Sequence, residues 1–179
     1  MPEKTSAVKI RKLEDMREVL LNREADGPEG VYVMIRGKPN ITVLLPGKIG
    51  QEFTKTYGHY HRDARCESYQ VLLGEGKMLI QSRDANDVQL LEMSVGSEIA
   101  VPEGYAHTMI NTGDTPLVTT DDAPADAEES VNDYEPIREK QGFALYVVEE
   151  NGRTKTVPNP RYNKASGFAT LTQGTPAQL

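Results

Sequence analysis

The sequence predicts a mainly β fold, a single small antiparallel barrel or jelly roll with an N-terminal helix and few other short helices. Between Val31 and Thr120, short runs rich in Val, Ile, Thr and Tyr are separated by Gly, Pro and Asn. Short strands at that rhythm belong to sandwiches and barrels. Further on, Asn151-Gly152 stands between two such runs, a strong short-range hairpin signal. Apolar residues at helical spacing are concentrated near the N-terminus.

There, in 7–23, Ile10, Leu13, Met16 and Leu20 recur with charged residues between them, which predicts an amphipathic helix ended by Asp26-Gly27-Pro28. Strands are expected over 31–36, 41–45, 52–61, 67–73, 77–81, 88–93, 98–101, 108–110 and 117–120. Gly74-Glu75-Gly76 reads as the turn of a hairpin joining the fourth of these to the fifth. The acidic stretch 121–133 reads as a loop or lid, and 133–140 as a short helix. The 143–149 and 153–157 runs make the Asn151-Gly152 hairpin, and Pro158-Asn159-Pro160 closes the domain. The expected organisation is an N-terminal helical segment 1–29, a barrel domain 30–160 and a C-terminal tail 161–179.

At 179 residues the chain has one-domain length and enough material for a core. Its net charge of −7 and pI near 5.1 argue against nucleic acid or an anionic membrane as partner. With one cysteine, Cys66, there is no internal disulfide, which fits a reducing compartment. No apolar run approaches the roughly 20 residues of a membrane span, and residues 1–7 lack a signal-peptide core. The expectation is a soluble, cytoplasmic protein.

The chain's three histidines fall in two blocks. The first is Gly58-His59-Tyr60-His61, followed by Glu67 and Gly74; the second is Gly96, Pro102, Gly104, His107 and Asn111. Alternation along a strand points His59 and His61 the same way. Glu67, Tyr69, Val71 and Leu73 would share one face of the next strand, with Cys66 opposite as a small packing residue. Three imidazoles and a carboxylate suit one divalent first-row transition metal. Tyr57 and Tyr60 are expected to pack in or around the barrel.

The stretch 53–61 with Glu67-Ser68-Tyr69 resembles the signature of the cupin-type phosphoglucose isomerases. The resemblance extends to Pro46-Gly47-Lys48-Ile49-Gly50, Pro124-Ala125-Asp126 and Val148-Glu149-Glu150-Asn151-Gly152, covering roughly residues 30–160. It implies a cupin barrel, a homodimer, and one iron, manganese, nickel or zinc ion per subunit held by His59, His61, Glu67 and His107. It implies further that Thr42, Thr56 and Gly58 grip a sugar phosphate, that Tyr134 closes over it, and that Glu67 carries the proton. Tyr69 shares Glu67's strand face and is placed to orient it or the substrate. Thr42 and Thr56 are also ordinary strand formers, and Tyr134 suits a loop anchor equally well. The chain departs from the family pattern in the five residues between His61 and Glu67, at Ala123 where a tyrosine is expected, and at Asn132 where a histidine is expected. Simple alternation also puts Thr56 on the face opposite His59, so the two share a pocket only if Gly58 supplies a bulge.

The implied activity is metal-dependent interconversion of glucose 6-phosphate and fructose 6-phosphate. Two other readings use the same site: a cupin oxygenase with open metal positions for oxygen, and a sugar-phosphate binder without turnover.

Overall fold

A computed structural model describes residues 8–63, 65–123 and 131–162. In chain order its strands are β1 (Val8–Lys12), β2 (Gly30–Ile35), β3 (Asn40–Leu44), β4 (Lys48–Ile49), β5 (Glu52–Phe53), β6 (Tyr60–His61), β7 (Glu67–Leu73), β8 (Glu75–Gln81), β9 (Val88–Ser94), β10 (Glu98–Val101), β11 (Ala106–Ile110), β12 (Leu117–Asp121), β13 (Asn132–Asp133), β14 (Leu145–Glu150) and β15 (Arg153–Pro158). The helices are α1 (Leu13–Met16) and α2 (Glu135–Glu139). One sheet runs β1-β2-β3-β12-β7-β10, and another β11-β8-β9. Bridges from Lys55 to Ile110 and from His59 to His107 lay the chain before β6 along β11. Smaller sheets are β15-β14-β5-β4 and β13-β6.

The two larger sheets share one core. Leu44, Tyr69, Val71, Val101 and Leu117 come from the first, and Met78, Ile80, Met93 and Met109 from the second. Alternation explains most of the strands: in β10, Ile99 and Val101 are buried between exposed Glu98 and Ala100. The β14–β15 hairpin turns through Asn151 and Gly152, at φ 54° and 71°, as the sequence predicts. Tyr57 and Tyr60 are buried, and a short helix, α2, does form within 133–140.

Four expectations are corrected. The predicted helix over 7–23 is instead the edge strand β1 paired with β2, then α1 and a 3-10 turn at Arg17–Val19. Leu13, Met16, Val19 and Leu20 are buried, but the helical part is confined to Leu13–Met16 and the 3-10 turn that follows it. Val8 and Ile10 also alternate with Lys9 and Arg11 at period two. The edge of β2 satisfies that backbone in a sheet, whereas a short isolated helix is marginal. The segment after α1 is tied down by a buried pair: Lys55 Nζ contacts Glu52 and donates to Val19 O at 2.7 Å, while Leu21 N donates to Glu52 Oε2 at 2.8 Å.

Second, Gly74 does not turn a hairpin, because β7 and β8 lie in different sheets. It carries the chain between them at φ 81°, where a Cβ would lie 2.4 Å from Pro116 O. Third, Leu73 leaves the Glu67–Val71 face and is 51% exposed. A register shift opposite Val118/Thr119 inserts an extra residue there. Fourth, Cys66 is exposed, not packed. Most of the expected 121–133 loop, including Pro124-Ala125-Asp126, and nearly all of the 161–179 tail lie outside the described residues. Among the described residues no helix is long and apolar enough to cross a membrane.

Candidate metal centre

The site begins with a bulge. From Lys55 to His59 the chain advances four residues, while its partner advances three, from Ile110 to His107. One extra residue therefore sits on the histidine strand, which reverses the alternation across it. Gly58 lies at φ 76°, where a Cβ would meet Phe143 Cε2 at 2.4 Å and His107 O at 2.8 Å. Thr56 adapts the ladder on the other side of the bulge. Its Oγ1 accepts from Met109 N at 3.0 Å, and its carbonyl accepts from Thr108 Oγ1 at 2.7 Å. Thr56 and His59 consequently line one cavity despite their parity in sequence.

His59 and His61 come from the bulged segment and β6, Glu67 from the start of β7, and His107 from β11. Their ligand atoms all lie within 4.8 Å of one another. His59 Nε2 is 3.2 Å from His61 Nε2, and Glu67 Oε2 is 3.1 Å from His61 Nε2 and 3.6 Å from His107 Nε2. Donors bound to a first-row cation at roughly 2.1 Å, with right angles between them, stand about 3 Å apart. Glu67 Oε2 is buried without a hydrogen-bond partner. An orphaned carboxylate oxygen facing imidazoles is costly unless something else satisfies it. The residues fit a divalent cation.

Electrostatics agree with that fit. Burial, followed by the neighbouring imidazoles, holds His59 well below its ordinary value of 6.5. Burial lowers His107 to about 4, against the opposing pull of Glu67. Both rings are neutral near pH 7, the form that binds metal. Burial pulls Glu67 upward, but the adjacent His61 and His107 more than offset it, and the carboxylate lies below its ordinary 4.5. Burial, with the charges of Glu67 and Asp121, pushes the Tyr69 hydroxyl well above 10. That hydroxyl, kept protonated, lies 2.9 Å from His107 Nε2. A cation on the same nitrogen would compete for its lone pair and free the hydroxyl for another oxygen.

The remaining candidates, Thr42, Thr56, Gly58, Tyr69 and Tyr134, line the same cavity. Tyr134 packs against His59 and edge-on against Tyr57, with ring centroids 5.3 and 5.5 Å away. Asn132, one of the departures, donates from Nδ2 to Tyr134 OH at 3.1 Å, and so positions the tyrosine. Ala123 lines the cavity with no large side chain. Sequence reasoning missed Arg36, Asn40, Arg65 and Asp121, which also line it. Arg65 is engaged with Asp63 at 2.6 Å. Arg36 shares the inward parity of Tyr32 and Met34 on β2, the one signal that could have placed it.

The family model that matches is described as Glucose-6-phosphate isomerase (GPI), over residues 23–164. The glucose-6-phosphate isomerase of Thermococcus litoralis is 39% identical over 86% of this chain and 86% of its own. That of Pyrococcus furiosus is 44% identical over 69% of this chain and 63% of its own. A putative glucose-6-phosphate isomerase 1 of Rhizobium meliloti is 31% identical over 74% and 65%. Among solved structures, the Drosophila melanogaster CENP-C cupin domain is 15% identical, covers 55% of this chain and 74% of its own, and has a TM-score of 0.41.

Proposed function

The chain belongs to the glucose-6-phosphate isomerase family, and from that premise we propose that it is a metal-dependent isomerase of glucose 6-phosphate and fructose 6-phosphate. The observation that carries the metal dependence is the convergence of His59, His61, Glu67 and His107 on one point of a cavity also lined by Thr42, Thr56 and Tyr134. Iron, manganese, nickel or zinc at that point would supply Lewis acidity toward the sugar's carbonyl and hydroxyl oxygens.

The chain's own residues do the rest. Thr42, Thr56, the Gly58 N–H and Tyr134 hold the phosphate, so binding energy far from the reacting carbons aligns them. Glu67 moves the proton between C1 and C2, passing through an enediol. The phosphate keeps the substrate from crossing membranes unaided, which supports a cytoplasmic role in glycolysis and gluconeogenesis.

The assay is direct. Protein reloaded separately with each metal is given fructose 6-phosphate, and glucose 6-phosphate is followed. Product that depends on metal is expected. Its absence with every metal, at full occupancy, would overturn the isomerase reading, and oxygen uptake by the iron form would indicate an oxygenase.

A homodimer is part of this proposal, supported by the outer face of the six-stranded sheet. Its register aligns Ile10, Val33, Val43, Val118 and Leu73 across β1, β2, β3, β12 and β7. Ile10 is 57% exposed. A continuous aliphatic row on a sheet face marks a docking surface, and self-association covers it. Sedimentation at micromolar concentration should give a dimer for the native chain and a monomer for Val43→Glu. A native monomer would refute the assignment.

A further inference from the structure

The inner face of the same sheet carries a polar row that the mechanism above leaves unused. Ile35 lies opposite Ile41, so the next step toward the hairpin brings Arg36 beside Asn40; Asn40 then pairs with Asp121, and Asp121 with Tyr69. All four line the metal cavity. Asp121 is only 8% exposed. Its Oδ1 accepts from Asn40 Nδ2 at 2.9 Å and from Ala123 N at 3.2 Å. Asn40 is itself fixed, donating to Ala123 O at 2.8 Å and accepting from Gly37 N at 3.1 Å. Among the described residues nothing bonds Asp121 Oδ2 or the Arg36 guanidinium. Asp121 is not one of the four grouped ligand residues.

A carboxylate in a largely buried residue, with one oxygen clamped by the protein and the other left without a protein partner at a cavity, keeps one acceptor open. It is a good acceptor for a neutral donor brought by a ligand. Phosphate is excluded there by like charge. Sugar hydroxyls fit, and Arg36, two strands away in the same row with Asn40 between, supplies a complementary donor to the same cavity.

We propose that Asp121, held by Asn40, is a substrate-positioning residue whose free Oδ2 accepts a hydrogen bond from one hydroxyl of the open-chain sugar, with Arg36 donating to a neighbouring oxygen. The proposal rests on the sugar-phosphate reading of the site and adds a determinant of which hydroxyl pattern is accepted. In Asp121→Asn the Asn40 amide retains its acceptor only if the new amide nitrogen faces the cavity, so an acceptor there becomes a donor.

The test is calorimetric binding of glucitol 6-phosphate and its 3-, 4- and 5-deoxy analogues to the manganese-loaded full chain, native and Asp121→Asn. The variant should keep its metal stoichiometry and bind glucitol 6-phosphate roughly ten- to a hundredfold more weakly. One deoxy analogue, lacking the contacted hydroxyl, should bind both proteins equally. Equal weakening for every analogue indicates a merely structural role and overturns the proposal, as does unchanged binding. If Asp121→Asn fails to fold, Asp121→Thr, a strand former like its neighbours Thr119 and Thr120, carries the same comparison. A native protein that binds glucitol 6-phosphate but makes no glucose 6-phosphate loses the isomerase reading while the Asp121 contact stands. One that binds no polyol phosphate overturns both.

Discussion

Glu67→Gln, saturated with metal, is expected to lose roughly a thousandfold in kcat, within the 10²–10⁴ range for removing a positioned proton carrier. The substitution keeps the side chain's length and one oxygen donor, and His59, His61 and His107 remain to hold the ion. What it removes is a carboxylate held ionised by the imidazoles beside it. A carboxylate that also held a cation would be a weak base, so the demand on Glu67 is specific: proton transfer would fall to the oxygen not engaged with the ion. Steady-state rates with the metal content of the same sample decide the matter. A kcat within tenfold of the native value, at full occupancy, would reduce Glu67 to a ligand. Deuterium placed at C2 gives an independent reading. Its exchange with water during turnover supports the enediol, and its complete retention in product supports a hydride shift.

The convergence of His59, His61, Glu67 and His107 was legible in the sequence because all four sit in short motifs whose spacing reflects strand alternation, and the barrel brings those strands together. Thr56 shows the limit of that logic. Its parity was wrong for the pocket, and only the extra residue at Gly58 restores it, a feature visible in sequence as a glycine and nothing more. Leu73 failed for the same physical reason in reverse, since an unmarked bulge turned it outward. The N-terminal segment is ambiguous in sequence, because Leu13, Met16 and Leu20 satisfy a helical period while Val8 and Ile10 satisfy a strand period, and the open edge of β2 decides between them. Gly74 marked a turn correctly, yet a turn between sheets and a turn within one carry the same residues. Arg36, Asn40 and Asp121 belong to no motif. Their association depends on the register of β2, β3 and β12, which sequence alone does not provide.

That same histidine cluster gives the metal-free protein a defined pH response. His107 titrates at about 4 in the fold against an ordinary 6.5. Between those values the unfolded chain binds the proton and the folded chain does not, so stability rises with pH across the window. His59, also held low, acts in the same direction. Glu67, lowered from 4.5, adds stability above that value, which is lost as pH falls through its folded value. All three contributions therefore weaken the fold on acidification. His107 alone accounts for about 3 kcal/mol, fully lost only below about pH 4. Metal-free protein should melt progressively lower from pH 7.5 to 5. Divalent ion at a hundred times its dissociation constant should add about 2.7 kcal/mol at pH 7.5. At a fixed ion concentration the gain should shrink toward pH 5, because protons compete for the same nitrogens. Melting curves with and without chelator measure both effects. A metal-free melting temperature that stays flat across the range would mean that His59 and His107 are not held neutral by burial, and the case for a preformed metal site would fail with it.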